Sequence, residues 1–422
     1  MIIITGGAGF IGSAMVWELN RQGVRDILVV DNLGSTNKWR NLVGLKYHRY
    51  IHKDEFLGLT KTRYMEGRIE AVIHMGACSA TTEADCDYLV HNNLEYSKTL
   101  CRFALERDAR FIYASSAATY GDGSRGFDDS DEAMEALQPL NMYGYSKHLF
   151  DLWLKGDGLL EKVAGLKFFN VFGPNEYHKD DMRSVVCKAF TQIRQTGKLK
   201  LFKSYRQEYA HGEQRRDFVY IKDCVRVIDW LLKNRGVGGV FNVGTGQART
   251  WNDLARSVFA AMGRETQVEY VDMPDALRGK YQYYTCADLK KLAGRGCDVD
   301  FRSLEDGIAD YVQNYLMHGY AHLTSRYRRS ERGAKKAVWS PGPPFSISAR
   351  FDHDGVDSRV ETGAHDREHQ LVEFQAAAGR QVDGRVAVGQ EMSVHEESSH
   401  ALVDVIEKLA AGHGQEDVDG LV

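Results

Sequence analysis

Hydrophobic positions in the first part of the chain fall into short solid runs separated by amphipathic stretches. Ile2–Ile4, the DILVVDN segment ending at Asp31, EAVIHMGA over 70–77 and RFIYASS ending at Ser115-Ser116 read as buried strands, with KYHRY near 46–50 as a shorter one. Between them, Phe10, Ile11, Met15, Val16 and Leu19 recur at helical spacing, as do Leu89, Leu94, Leu100, Phe103 and Leu105 within a long helix expected from about Tyr88 to Arg107. A further helix opens near Tyr143, ahead of a sixth strand, GLKFFNVFG, that closes at Gly173-Pro174. Strands alternating with helices predict an α/β protein with a Rossmann-type doubly wound parallel sheet and right-handed crossovers.

From Asn175 the alternation loosens, and it resumes at RDFVYIKD (216–223) and GVFNVGTG (239–246). Residues 1–174, with 216–246 returning, are therefore expected to form the dinucleotide-binding domain. Segments 175–215 and 247–322 are expected to build a smaller α/β substrate domain over the crevice. A last helix starts at Ser303, capped through its Ser-x-x-Asp spacing to Asp306, and runs to about Met317. Residues 323–422 read as a disordered or loosely attached tail. They hold SPGPP at 340–344, the basic run SRYRRSERGAKK, and an amphipathic period only over Ser398–Ala410. The spacing of His353, His365, His369, His395 and His400 fits no metal-ligand pattern, so no metal is expected.

Composition narrows the class further. A net charge of -4, with basic residues scattered rather than striped, gives no reason to expect nucleic acid. No apolar run is long enough for a membrane span, and the chain begins directly in a strand without a leader. Seven cysteines with no CxxC pair suit reduced thiols in a cytoplasmic protein.

The candidate chemistry sits at the carboxyl ends of the expected strands, where ligands bind in such sheets. In MIIITGGAGFIG, Gly6, Gly9 and Gly12 provide a tight turn, a bare backbone for a pyrophosphate and close packing of helix on strand. Asp31, about twenty residues on, can accept from a ribose hydroxyl. Asp31, Gly76–Ser79 and Ser116 should line one crevice. Tyr143 and Lys147 share a helix face at a spacing of four. A nearby ammonium stabilises phenolate, so Lys147 is expected to lower the Tyr143 pKa and make it a base, with Ser116 orienting the substrate oxygen.

TGGAGFIG, SSAATYG and YxxxK together resemble the extended short-chain dehydrogenase/reductase, or NAD-dependent epimerase/dehydratase, family. HMGACSATTE (74–83), NNLEYSK (92–98), PLNMYGYSK (139–147), FFNVFGPNEYHK (168–179), QRRDFVYIKD (214–223) and GKYQYYT (279–285) narrow the resemblance to its ADP-heptose 6-epimerase branch, over about residues 1–320. That resemblance implies a bacterial cytoplasmic homopentamer making a heptose precursor of lipopolysaccharide. The enzyme would invert the sixth carbon of an ADP-heptose by transient hydride transfer to a tightly held nicotinamide. It implies Lys179 as a second acid/base beside Tyr143. It also implies cofactor contacts from Phe10, Ile11, Asn32, Lys38, Lys53, Met75, Gly76, Ala77, Cys78, Ser79, Asn92, Val171 and Lys179. Lys38 and Lys53 match positions that neutralise a 2′-phosphate, so NADP is expected, with NAD usable. Substrate contacts are implied for Asn170, Asp181, Lys188, Phe202, Lys203, Ser204, Tyr205, Arg216 and Tyr281, Arg216 being suited to grip a diphosphate. Two positions depart from the pattern. Asp180-Asp181 replaces a small glycine after His178-Lys179, which is expected to raise the Lys179 pKa, and Lys188 stands where some members carry histidine. A UDP-hexose 4-epimerase, a sugar-nucleotide dehydratase and a non-catalytic dinucleotide sensor are the rival readings. Ala117-Ala118 after Ser116 lacks the acidic pair that elimination uses.

Overall fold

In a computed structural model, residues 1–62, 67–278 and 281–324 are described. The tail expected over 323–422 starts later than that, since Leu323 is buried and bonded to Asn175 in the folded part. From 325 on, its histidines and its amphipathic segment lie outside the described residues, as do Gly279 and Lys280. Seven parallel strands form the central sheet: β1 (Ile2–Thr5), β2 (Ile27–Asp31), β3 (Arg49–His52), β4 (Ala71–His74), β5 (Arg110–Ser116), β6 (Val163–Phe168) and, after three strands that lie elsewhere, β10 (Gly239–Val243). Their order is β10-β6-β5-β4-β1-β2-β3. The strand order reverses between β1 and β4, and it is outside the carboxyl ends of the strands at such a point that sheets of this kind bind their ligands. Solid apolar strands follow from burial on both faces: Ile2 and Ile4 join one core cluster, Ile3 the other.

Helix α1 (Phe10–Arg21) follows β1, and its buried Ala14, Met15, Val16 and Leu19 match the expected face. The other elements refine the sequence reading. The third strand falls at 49–52, later than KYHRY, because Arg49–His52 is the stretch in register with Leu28–Asp31. The helix expected over 88–107 is interrupted by a π-helical turn, Val90–Glu95, between Cys86–Leu89 and Tyr96–Leu105. The apolar run GLKFFNVFG is two strands. β6 stays in the central sheet, and β7 (Asn170–Phe172) pairs in parallel with β9 (Arg215–Tyr220), which pairs antiparallel with β11 (Ala248–Thr250). RDFVYIKD therefore builds a second, three-stranded sheet and does not rejoin the first. Only its following helix, Ile221–Lys233, and β10 return to the central layer, where that helix packs on α1. A further parallel pair joins β8 (Leu199–Phe202) to β12 (Val268–Val271). The last helix, Leu304–Tyr311, is capped as expected by the Ser303 hydroxyl accepting from the Asp306 N–H at 3.0 Å. Among the described residues no helix is long and apolar enough to cross a membrane. The seven cysteines are all free thiols.

Candidate active site

The glycine turn after β1 has no room for side chains. Gly6 has φ +65°, and a Cβ there would lie 2.5 Å from the Gly76 nitrogen at the end of β4. A Cβ at Gly12 would lie 2.1 Å from the Gly6 carbonyl oxygen. Gly9 caps α1 in extended conformation without a side chain to fill the cap, so the first-turn amides are left for an anion. This cradle fits a dinucleotide pyrophosphate.

Asp31 at the end of β2 is nearly inaccessible and already engaged. Its Oδ2 accepts from the Ala8 N–H at 2.8 Å, and its Oδ1 accepts from the Asn32 N–H at 2.7 Å and from Lys38 Nζ at 2.8 Å. Lys53, which follows the residue in register with Asp31, donates to Asn92 Oδ1 at 2.8 Å. The acid is thus neutralised from within the protein, and two lysines flank the place where the adenosine ribose is expected.

Across the crevice, Asn141 accepts from the Gly144 N–H at 2.8 Å and starts the helix Met142–Gly156 one residue before Tyr143. That start sets Tyr143, Lys147 and Asp151 at intervals of four on one face. Ser116 ends β5, accepts from the Ala118 N–H at 3.1 Å and hydrogen-bonds the Tyr143 phenol. Lys147 is buried, and its Nζ donates to the Ala114 carbonyl at 2.7 Å. Burial pulls its pKa down to about 8, opposed by the Asp151 and Cys78 side chains.

The expected lowering of the tyrosine is not what this arrangement produces. Burial holds the phenol above its ordinary value, with the Ser116 hydrogen bond pulling the other way. Lys147 is turned to the Ala114 carbonyl and is not among the groups that shift the phenol.

Two supports of this cluster were missed from the sequence. The buried Asp151 carboxylate accepts from Tyr113 Oη at 2.8 Å, Ser115 Oγ at 2.7 Å and Lys167 Nζ at 2.8 Å, locking helix to strand. Its spacing from Lys147 was the available signal. Asn93, in the π-helical turn, bonds the N–H and C=O of Cys78 at 2.9 and 3.0 Å and Ser146 Oγ at 3.0 Å. It fixes the half-buried loop Met75–Cys78 against the helix Met142–Gly156; Ser79 beyond it is exposed.

Lys179 lies in an irregular turn, Tyr177–Met182, with its ammonium 5.4 Å from the centroid of the Phe10 ring at the start of α1. Burial lowers its pKa, opposed by Glu176. The expectation that Asp180 and Asp181 would raise it is corrected: both are exposed, and the carboxylate that acts on Lys179 is the fully buried Glu176. Asp180 occupies φ +44°, ψ −120°, a glycine-like conformation.

Among the residues expected to meet the substrate, Arg216 is buried, 5.2 Å from the Tyr281 ring centroid and 5.7 Å from that of Trp251. Its guanidinium donates to the Arg215 carbonyl at 2.9 Å and to the Gln282 carbonyl, so part of its fork is held by backbone. Tyr281 Oη accepts from Trp251 Nε1 at 2.8 Å. Lys203 and Tyr205 both bond Asp272 Oδ1, at 3.1 and 2.8 Å, while the Ser204 N–H donates to His211 Nδ1 at 3.0 Å and Phe202 ends β8. Lys188 Nζ donates to the Asp181 carbonyl at 2.9 Å. Asn170 is exposed at the start of β7, next to half-buried Val171. A separate cavity of about 470 Å³, lined by residues 128–132 with Asp288, Lys290 and Lys291, contains none of these residues.

The sequence profile of the NAD dependent epimerase/dehydratase family matches residues 2–244. The chain belongs to this family. Within it, an ADP-L-glycero-D-manno-heptose-6-epimerase from Nitratidesulfovibrio vulgaris strain Hildenborough is 60% identical over 323 residues, covering 76% of this chain and 100% of that one. One from Fusobacterium nucleatum is 47% identical, covering 76% and 100%. Among solved structures, the Helicobacter pylori ADP-L-glycero-D-manno-heptose-6-epimerase is 28% identical with a TM-score of 0.61, covering 74% and 95%. A Thermotoga maritima UDP-glucose 4-epimerase with UDP-glucose is 27% identical with a TM-score of 0.62, covering 76% and 99%. As in its family, the cofactor is a nicotinamide dinucleotide and the substrate a sugar nucleotide.

Proposed function

We propose that this chain is an isomerase that inverts the sixth carbon of ADP-D-glycero-β-D-manno-heptose to give the L-glycero epimer. The observation that carries the reading is a Ser116–Tyr143–Lys147 set at the end of β5 and on the helix Met142–Gly156, together with the close-packed glycine turn after β1 and a half-buried second lysine, Lys179, against the Phe10 ring that follows that turn. Full-length relatives named for this activity support the choice of sugar. When bound, the nicotinamide supplies an acceptor that takes the hydride from carbon six and later returns it.

The protein's own residues handle the oxygen and its proton. Tyr143 takes the hydroxyl proton while Ser116 donates to the same oxygen and fixes its direction. Burial alone holds the phenol protonated, so its ionisation draws on the Ser116 hydrogen bond and on the positive charge an oxidised nicotinamide would bring. Lys147 keeps a positive charge beside this site at neutral pH, since its pKa is near 8. Carbon six, bonded to two carbons, becomes a ketone. Return of hydride to the opposite face requires the carbonyl to reorient, which carries its oxygen away from Tyr143. Lys179, desolvated and so readier to give up a proton, then protonates the oxygen, and the two groups exchange roles in the reverse direction. Arg216 and Tyr281 are assigned to the diphosphate and sugar, with Phe202–Tyr205 facing the nucleotide and Asn170, Asp181 and Lys188 nearer the heptose. The division of labour puts the dinucleotide on residues 1–174 and the sugar on 175–215 and 247–322.

NADP is the proposed cofactor. Asp31 spends both oxygens on Ala8, Asn32 and Lys38, which weakens its grip on a ribose hydroxyl and its repulsion of a 2′-phosphate, while Lys38 and Lys53 supply compensating charge. Mass spectrometry of the nucleotide released on denaturation is expected to find NADP; NAD alone would overturn this assignment. We place the enzyme in the bacterial cytoplasm, upstream of lipopolysaccharide assembly, as a homopentamer, which native mass spectrometry tests. The activity itself is tested by incubating purified protein with the D-glycero substrate and no added cofactor. Appearance of the L-glycero product is expected. Turnover of a UDP-hexose in its place, or loss of water from the substrate, would favour the rival readings.

A further inference from the structure

Lys179 has no regular helix to hold it, and Asp180 beside it sits in a conformation side chains avoid. Its placement therefore has to come from outside the turn. Glu176 is anchored by the Ser184 hydroxyl at 2.7 Å and Tyr311 Oη at 3.0 Å. A second set of bonds converges on Asn41, which is 1% exposed although Trp39 and Arg40 before it are open to solvent. Its Nδ2 donates to the carbonyls of Ala8 and Asn175, both at 2.9 Å, and lies 3.2 Å from His178 Nδ1. Its Oδ1 pairs with His322 Nδ1 at 2.8 Å. One amide thus joins the glycine turn, the turn Asn37–Leu42, the segment just before Lys179 and the end of the described chain.

That end is bound independently. Asn175, fully buried at φ +78°, accepts at Oδ1 from the Leu323 N–H at 2.9 Å and donates to Ser13 Oγ at 3.0 Å. Tyr177 Oη donates to the Ala321 carbonyl at 2.9 Å, and the Tyr177 ring meets His322 edge to face at 5.1 Å. We propose that Asn41 and His322 are positioning residues for Lys179, so that the stretch Tyr320–Leu323, at the far end of the segment assigned to the sugar, completes the active site. The assignment rests on the reading of Lys179 as the second acid/base, and it says how a lysine on an irregular turn keeps one position.

His322→Leu removes the bond to Asn41, and His322→Asn restores a donor at the same place. Three quantities separate positioning from a general loss of structure: kcat and KM for the ADP-heptose, the amount of co-purifying dinucleotide, and the rate at which an acylating reagent labels the Lys179 amine. His322→Leu is expected to lower kcat by about tenfold or more, since small misplacements of a reacting group cost this much. KM and dinucleotide content should stay near wild type, and Lys179 should label faster. His322→Asn is expected to recover most of the kcat and the slow labelling. Adding His322→Leu to Lys179→Met should cost nothing more. Should His322→Leu fail to fold, Asn41→Ser, too short to span both carbonyls, is expected to show the same pattern. Unchanged labelling together with a full additional loss in the Lys179→Met background would overturn the proposal. Near-normal epimerisation by Lys179→Met alone would instead sink the acid/base reading of Lys179, while the labelling result would still decide whether the clasp positions it.

Discussion

Two lysines, one buried and one half-buried, belong to the candidate site, and they are held in opposite ways. Lys147 stands on a regular helix whose cap, base and countercharge follow at short spacings: Asn141, Tyr143 and Asp151. Lys179 stands on an irregular turn and takes its surroundings from Phe10, Glu176 and a network reaching Asn41 and His322. Both lose water and both have lowered pKa values, for the same reason. The difference teaches that a desolvated lysine can be built locally or from scattered parts, and that the two constructions should fail differently under mutation.

The largest effect expected is on the local side. Tyr143→Phe should reduce kcat by about a thousandfold or more with dinucleotide still bound, as loss of an acid–base group does; steady-state rates and nucleotide content check it. Lys179→Met should cost about a hundredfold or more. A dismutation assay with a simplified ADP-sugar aldehyde distinguishes the two variants, each being expected to lose a different half-reaction. Identical losses in both halves would erase the contrast.

Asp151→Asn comes next. Lys167 would be left buried without its partner, at a cost on the order of 3 kcal/mol in a denaturant titration. The charge that keeps Lys147 protonated would also go. The wild-type alkaline limb of kcat/KM is expected near pH 8, because activity is lost as Lys147 deprotonates. Without Asp151 the limb should move to lower pH, and pairing the change with Lys167→Met should restore stability while keeping the shift. A limb that stays in place would show that Lys147 does not set it.

The smallest effect belongs to the other lysine's turn. Asp180→Gly relieves a positive-φ strain, partly offset by the greater freedom of glycine in the unfolded chain, for a net gain of about 1 kcal/mol. Thermal unfolding should show a higher midpoint, with kcat changed little.

The same contrast explains what could be read in advance. The glycine turn, Asp31, Ser116, Tyr143 and Lys147 were legible because each lies at the end of an apolar run or at helical spacing from the next. Asp151 was within reach of the same reasoning. The π-helical turn that presents Asn92 and Asn93 was not, since its residues keep an ordinary helical pattern of apolar positions. Nor was the departure of β7 and β9 into their own sheet, because an unbroken apolar run does not mark where a strand changes partner. Asn41 and His322 are 281 residues apart and carry no local signal of their pairing. The glycine-like backbone at Asp180 was foreshadowed only by the resemblance.

The central claim is that one hydride leaves carbon six and comes back to its other face. It is tested most directly by supplying ADP-D-glycero-β-D-manno-heptose deuterated at that carbon, in ordinary water, to enzyme with no added cofactor. The L-glycero product should keep its deuterium in full. Replacement of that deuterium by solvent hydrogen would mean that inversion proceeds by proton exchange, and would contradict the account.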